Sequence, residues 1–352
     1  MRMRKLLLIG LLLLGSIGAV GCLRFKPAEP PSSAGVFKSY DYGETWQAKN
    51  RFVHSGGVSS IGAVGIEHLQ FDPQDAQTLY IGTSEDGVLF SYDSAESWQQ
   101  ARGLKGGKAQ SLAIDPSNKC ILYATRANTL VKSVDCGRNW TEMYLDTVAT
   151  KLLTQIAVDP VRSTTIYIGN TAGDILKSED AGVNWRVVNR LNNQIEKILF
   201  DADESSTLYV ATSKKGIFKT ADGGESWVDL NTGLKPYSAS LDYKQLILVP
   251  DTEHGLLLAA KYGLLYSNDG GATWNPISLI TPVATADIFT VAVNPQNSNE
   301  IYYATGSTFY KSVDGGVNWI TRRLPSRAIP SLLLVDPQNP NVVYLGLSAP
   351  QK

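Results

Sequence analysis

SYDYGETW occupies positions 39–46, and the same phrase returns six times. The further copies are SYDSAESW (91–98), SVDCGRNW (133–140), SEDAGVNW (178–185), TADGGESW (220–227), SNDGGATW (267–274) and SVDGGVNW (312–319). All seven tryptophans of the chain, Trp46, Trp98, Trp140, Trp185, Trp227, Trp274 and Trp319, close a copy. They lie 52, 42, 45, 42, 47 and 45 residues apart. A period in that range, sustained over seven copies, predicts a propeller or solenoid array.

Each copy reads as a hairpin turn. Short strand-like runs such as Val36-Phe37-Lys38 and Ile175-Leu176-Lys177 precede it. Its aspartate (Asp41, Asp93, Asp135, Asp180, Asp222, Asp269, Asp314) is suited to accept hydrogen bonds from its own turn. The glycine two residues on suits a positive φ. Ala95 stands there in the second copy, which predicts a distorted turn or a poorly seated Asp93. The tryptophan starts the return strand and has the area to seal the space beside it.

Upstream of each phrase lies a second pattern, two apolar runs around an Asp-Pro-like turn, as in LAIDPSNKCILYAT at 112–125. Copies four and five carry Asp201-Ala202 and Val249-Pro250 instead, so their turns are less sharply specified. The chain opens on a phrase without this strand pair and closes on a pair without a phrase. Six complete repeats and two halves predict an all-β, single, closed seven-bladed propeller, its ring completed by pairing N- and C-terminal strands.

The phrase resembles the Asp-box (BNR, sialidase-type) repeat. That resemblance implies four-stranded blades in which the boxes, with their seven aspartates and tryptophans, are structural and face away from the ligand site. A single tethered propeller of this kind resembles the photosystem II stability/assembly factor family and, more distantly, the sortilin N-terminal propeller. The first resemblance implies a non-catalytic scaffold that binds a membrane-protein client through a basic face.

Composition agrees with a soluble globular domain: 32 Lys+Arg against 33 Asp+Glu, 43% hydrophobic, which argues against a nucleic-acid partner. The N-terminus differs. Arg2, Arg4 and Lys5 precede an apolar run ending in Ala19-Val20-Gly21-Cys22, the pattern of a secretory signal. It resembles a bacterial lipobox, which implies a signal peptide at 1–21 and lipidation of Cys22; an ordinary signal with an incidental cysteine is the alternative. Residues 22–34 read as a lipidated Cys and Pro/Ser-rich tether, and 35–352 as the propeller. The expected localisation is the bacterial envelope, anchored to a membrane by lipid. Cys120 and Cys136 would face each other across a hairpin near Asn128, as a disulfide or as two free thiols.

Strand counting puts boxes and Asp-Pro turns on one acidic rim, and the connections between blades on the other. The second rim is basic and is the expected partner surface, with Arg51, Arg102, Lys105, Lys108, Arg190, Arg322, Arg323 and Arg327 as candidates. Ordinary solvated loop charges are the alternative reading. A glycoside hydrolase needs two facing carboxyl groups, and no pair is singled out by spacing among Glu142, Asp146, Asp229, Asp242 and Asp287. The histidines, His54, His68 and His254, are scattered, so no catalytic residues, metal or cofactor are expected. Two function classes remain: a binding scaffold for a protein client, or a carbohydrate-active enzyme or glycan-binding lectin.

Overall fold

A strand covered on both faces must be apolar on both. The second strand of each repeat meets that demand: Ile166–Asn170, Leu208–Thr212 and Leu256–Ala260 are buried along their whole length. The computed structural model describes residues 33–202 and 204–348. The expected signal, Cys22 and most of the tether lie outside the described residues. Within them the chain is an all-β propeller of seven four-stranded antiparallel sheets. We number blades 1 to 6 from the sheets at 66–100, 112–145, 153–190, 195–229, 243–277 and 290–323. Blade 7 takes Ile329–Val335 and Val343–Ser348 from the end of the described chain and Gly35–Ser39 and Gln47–Ala48 from its start. Gly35 lies opposite Leu347 and Ser39 opposite Val343.

Seven apolar clusters fill the seven junctions between neighbouring blades. Each contains one phrase tryptophan, supplied by the later blade. Trp98, for example, packs with Val36 and Tyr344 of blade 7, and Trp140 with Tyr80 and Val88 of blade 1.

The phrase itself is a repeated hydrogen-bond knot. In the first copy Ser39 Oγ donates to Asp41 Oδ1 (2.7 Å) and accepts from the Gly43 N–H (2.8 Å). Asp41 also takes the Thr45 N–H and hydroxyl at 2.8 and 2.6 Å. The same bonds recur at Asp180, where Asn184 supplies both donors. The expected distortion at Ala95 is absent. Ala95 takes φ 70°, and Asp93 keeps its bonds to Ser91, the Ser97 N–H and the Ser97 hydroxyl. The turn's bonds hold the alanine in the left-handed region.

These donors depress the carboxyl pKa values. Backbone and side-chain bonds from Asn139, Asn184 and Asn318 hold Asp135, Asp180 and Asp314 at about 2, and the Ser226 hydroxyl holds Asp222 lower still. Because the folded pKa lies below the unfolded 3.8, the associated stability is complete above that value and is lost as pH falls toward 2. Acid unfolding followed by circular dichroism is therefore expected to accelerate in that window, and Asp180→Asn should flatten the pH slope. An unchanged slope would contradict the assignment.

A second repeated device crosses five of the seven junctions. A lysine just before the phrase stacks on the tyrosine opposite it: Lys38 on Tyr344, Lys132 on Tyr123, Lys177 on Tyr167 and Lys219 on Tyr209, at 5.1–5.7 Å. The pair reaches the next blade's box. Lys38 Nζ donates to the Ser94 carbonyl (2.9 Å), Lys132 Nζ to that of Ala181 (3.2 Å), and Tyr167 OH to that of Gly223 (2.8 Å). Blade 6 pairs Lys311 with Tyr302 and sets the lysine over Tyr42 of the next box. Blades 1 and 5 lack the lysine, pairing Tyr80 with Phe90 and Leu257 with Tyr266.

Cys120 and Cys136 are joined by a disulfide, in the blade where the Cys136 N–H donates to the Cys120 carbonyl (3.0 Å). Its loop-entropy contribution is of order 3 kcal/mol. The two turns without Asp-Pro form nonetheless: the Asp201 N–H donates to the Thr207 carbonyl and the Val249 N–H to that of Gly255.

Candidate functional site

In every blade the left-handed residue before the phrase glycine donates its N–H to the turn between the blade's first two strands. Examples are Ser94 to the Gln77 carbonyl and Ala181 to that of Thr164. Both turns therefore share one rim, and the blade-to-blade connections form the other. Ser33 and Ser348 lie on this connection rim, bonded to Ser326 and to the Ile66 carbonyl.

The connection before blade 1 is a hairpin, Arg51–His54 with Gly57–Ser60, rather than an irregular loop. It lies along blade 1's outer edge through a parallel bridge from Phe52 to Trp98. The connection after blade 4 begins with a single helical turn, Asn231–Leu234. Exposed apolar side chains stand on this rim: Val58, Val148, Leu241, Ile280, Val283 and Phe289.

The predicted basic residues divide into four groups. Arg51 and Arg323 are exposed and make no ion pair among the described residues, and Arg327 is exposed beside them on the connection rim. Lys108 and Arg190 are rim residues already neutralised, by Glu67 (3.0 Å) and Asp174 (3.3 Å); Lys151 also holds Asp174, at 2.6 Å. Lys105 lines a hollow of about 450 Å³ under the hairpin with Phe52 and Asp86. Arg322 corrects the expectation: its guanidinium binds Glu44 inside the box of blade 7. Lys49 with Glu96 and Arg186 with Glu225 repeat that junction pairing. Arg102 also turns toward a box, sharing a hollow with Cys136 and Arg138. Strand counting places a residue along the blade, but not the direction in which a long outer-strand side chain reaches.

Two junction hollows follow from the missing lysines. One of about 240 Å³ opens between blades 1 and 2 beside Phe90, and one of about 480 Å³ between blades 5 and 6 beside Leu257 and Tyr266.

Sequence reasoning missed the axial channel. The first strands of five blades slip register near the connection rim, between Ile66/His68, Leu153/Gln155, Ile195/Lys197, Tyr243/Gln245 and Pro330/Leu332. Each slip is a bulge, which re-aims the side chains that follow it. His68, Gln155, Lys197, Gln245 and Ser331 thereby line, together with Gln110 from blade 2, a channel space of about 510 Å³. A second space of about 420 Å³ continues from His68, Gln155 and Lys197 toward Asp201. Burial, reinforced by the Lys197 charge, pushes the His68 pKa down to about 4. Burial alone lowers that of Lys197.

Three of the five candidate rim carboxylates are held in polar contacts. Lys261 binds Asp287 (2.6 Å), Asp146 caps the Val148 N–H, and Asp229 caps that of Asn231. Lys261 holds the Asp287 pKa below the usual range, and Asp174 is also lowered, by Lys151 and Asn170 against the opposing effect of burial. Glu196 runs the other way, raised by burial. His254 pairs with Asp201 (2.9 Å), which also accepts from Tyr209 OH (2.9 Å), on the box rim. No group of three or more potential metal ligands occurs among the described residues, and none of their helices is long and apolar enough to cross a membrane.

Fold and site together define a seven-bladed β-propeller with an axial channel running between its two rims. No family model matches the chain. It resembles YCF48 bound to D1 peptide, with a TM-score of 0.63 and 13% identity over 81% of this chain and 93% of that one. YCF48 from Cyanidioschyzon merolae gives 0.60 and 15%, over 81% and 96%. The GH74 xyloglucanase from Xanthomonas campestris gives 0.64 and 17%, over 87% of this chain and 57% of that enzyme. At these identities the likeness establishes the fold. A curated relative, a probable oligoxyloglucan-reducing end-specific xyloglucanase from Neosartorya fischeri, is 26% identical over 144 residues. That match covers 36% of this chain and 18% of the relative.

Proposed function

We propose that the chain is a non-catalytic scaffold whose connection rim binds a protein client. The observation that carries this is the composition of that rim. Exposed Val58, Leu241, Ile280, Val283 and Phe289 stand among exposed bases, the mixture of apolar and Arg-rich surface that protein interfaces use. The YCF48 structure with a D1 peptide supports the reading, because the same fold there holds a polypeptide. In this reading the phrases are Asp-box turns with a structural role, and the pairing of 35–39 with 343–348 closes the ring.

The N-terminal pattern extends the proposal. Removal of 1–21 and lipidation of Cys22 would anchor the protein in a bacterial envelope membrane. The tether to residue 34 spans at most ~40 Å. With Ser33 on the connection rim, that rim would be held near the bilayer and near a membrane-protein client.

The test is recovery of partners from the protein's own membranes by cross-linking and pull-down. A variant with Arg51→Glu, Arg323→Glu and Phe289→Asp should lose the client by tenfold or more while keeping its circular dichroism spectrum. Equal recovery would refute the rim assignment. The similarity to xyloglucanases supports a second reading, a carbohydrate-active or glycan-binding protein. Hydrolysis of xyloglucan oligosaccharides, or glycan-array binding unaffected by that variant, would establish it instead.

A further inference from the structure

Lys197 is a cation without a counter-ion. It points into the axial channel and makes no ion pair or hydrogen bond among the described residues. Its sequence neighbour Glu196 does not neutralise it. The bulge sends that carboxylate to Gln194 (3.0 Å), where Lys108 and Tyr243 feel its charge. Glu67 is taken by Lys108. Asp201, at the far end, is held by Tyr209 and His254. His68, the titratable group coupled to Lys197, is neutral at physiological pH and bonded to Gln70 (2.9 Å).

The remaining polar lining is neutral: Gln110, Gln155, Gln245 and the Ser331 hydroxyl. Ser331 Oγ is buried and has no hydrogen-bond partner. An unpaired cation on a cavity wall costs free energy unless a ligand satisfies it. The combined spaces fall within the size range of small-molecule sites.

We propose that the axial channel binds a small monocarboxylate bearing hydroxyl groups, a sugar acid or hydroxy acid. Its carboxylate meets the Lys197 ammonium, and its hydroxyls meet Gln155 and the amide N–H of Gln245, whose oxygen is already taken by Thr290 and Val291. One cation matches one negative charge. Glu67 and Glu196 near the mouth disfavour multiply charged anions such as phosphate. The site is separate from the client surface, and its failure leaves the scaffold reading intact.

The experiment is titration calorimetry of the full chain with glucuronate and lactate, using glucose and inorganic phosphate as controls. A carboxylate from this pair should bind, glucose and phosphate at least tenfold more weakly. Lys197→Met should reduce carboxylate affinity at least tenfold while its melting midpoint stays level or rises, because an unpaired, partly buried charge has been removed. Gln155→Leu should weaken binding without moving the midpoint by more than a few degrees. Failure of both carboxylates to bind, preference for phosphate, or unchanged affinity in Lys197→Met would each overturn the proposal.

Discussion

Replacing Trp98 by alanine is expected to cost about 3–5 kcal/mol, the range for a fully buried tryptophan. It has no solvent exposure and lies in the cluster joining blades 7 and 1. Its indole Nε1 donates to the Lys49 carbonyl at 2.7 Å, its N–H to the Arg51 carbonyl, and its own carbonyl accepts from Val53. The substitution thus opens a cavity at the base of the hairpin at 51–60 and leaves the Lys49 carbonyl without its indole donor. Trp46 makes the informative contrast. Its Nε1 is buried without a partner while its ring meets Phe309 edge-on at 5.4 Å. Trp46→Phe keeps most of the contact and removes an unsatisfied donor, so it should shift stability by no more than about 1 kcal/mol. Urea denaturation of the two variants checks both. A Trp46→Phe loss as large as that of Trp98→Ala would mean that the Trp46 indole contributes more than its edge-on contact with Phe309 and its unsatisfied donor imply.

The fold was legible because two independent periodicities agree. Alternating apolar runs gave the strands, and the eight-residue phrase gave the turn that joins the outer pair. The glycine doublets at 223–224, 270–271 and 315–316 held more information than the sequence reading drew from them. Two consecutive residues of every turn are left-handed, Tyr42 then Gly43 and Gly223 then Gly224 alike. The first of the two, whatever its side chain, is the one that bonds the neighbouring turn.

The sites were less legible, for identifiable reasons. Lys38, Lys132, Lys177, Lys219 and Lys311 each stand immediately before a phrase, and Tyr344, Tyr123, Tyr167, Tyr209 and Tyr302 at one position of the upstream pattern. Only strand register makes them pairs. Once paired, Phe90 and Tyr266 become interpretable as the two places where the lysine is missing and the junction stays open. Lys197 reads in sequence as one more loop charge near the rim. A bulge places it in the channel, and bulges leave no reliable mark in a short apolar run. Arg322 shows the opposite error, in which a residue assigned by topology to one rim spends its charge on Glu44 of the next box.

Gly43→Ala is expected to destabilise the ring by about 2–5 kcal/mol, combining a left-handed alanine with overpacking. Gly43 has φ +88°, and an added Cβ would lie 2.3 Å from Phe309 Cε1 and 2.4 Å from Cζ. Phe309 cannot easily yield: it is 1% exposed and held between Trp46 and a stacked Tyr302. Ala95 supplies the control within the same molecule. It occupies the corresponding position at φ 70°, fully buried, with its turn intact. Ala95→Gly relieves backbone strain but removes a buried methyl, two terms of about 1 kcal/mol each that nearly cancel. Backbone conformation therefore cannot account for a large loss at Gly43, because blade 1 already carries that cost. A loss at Gly43 of about 1 kcal/mol, matching the conformational term alone, would show that Phe309 moves aside and that the junctions are softer than their burial implies. A loss of several kcal/mol would place the selectivity for glycine in the contact between blades, with the turn's own geometry secondary.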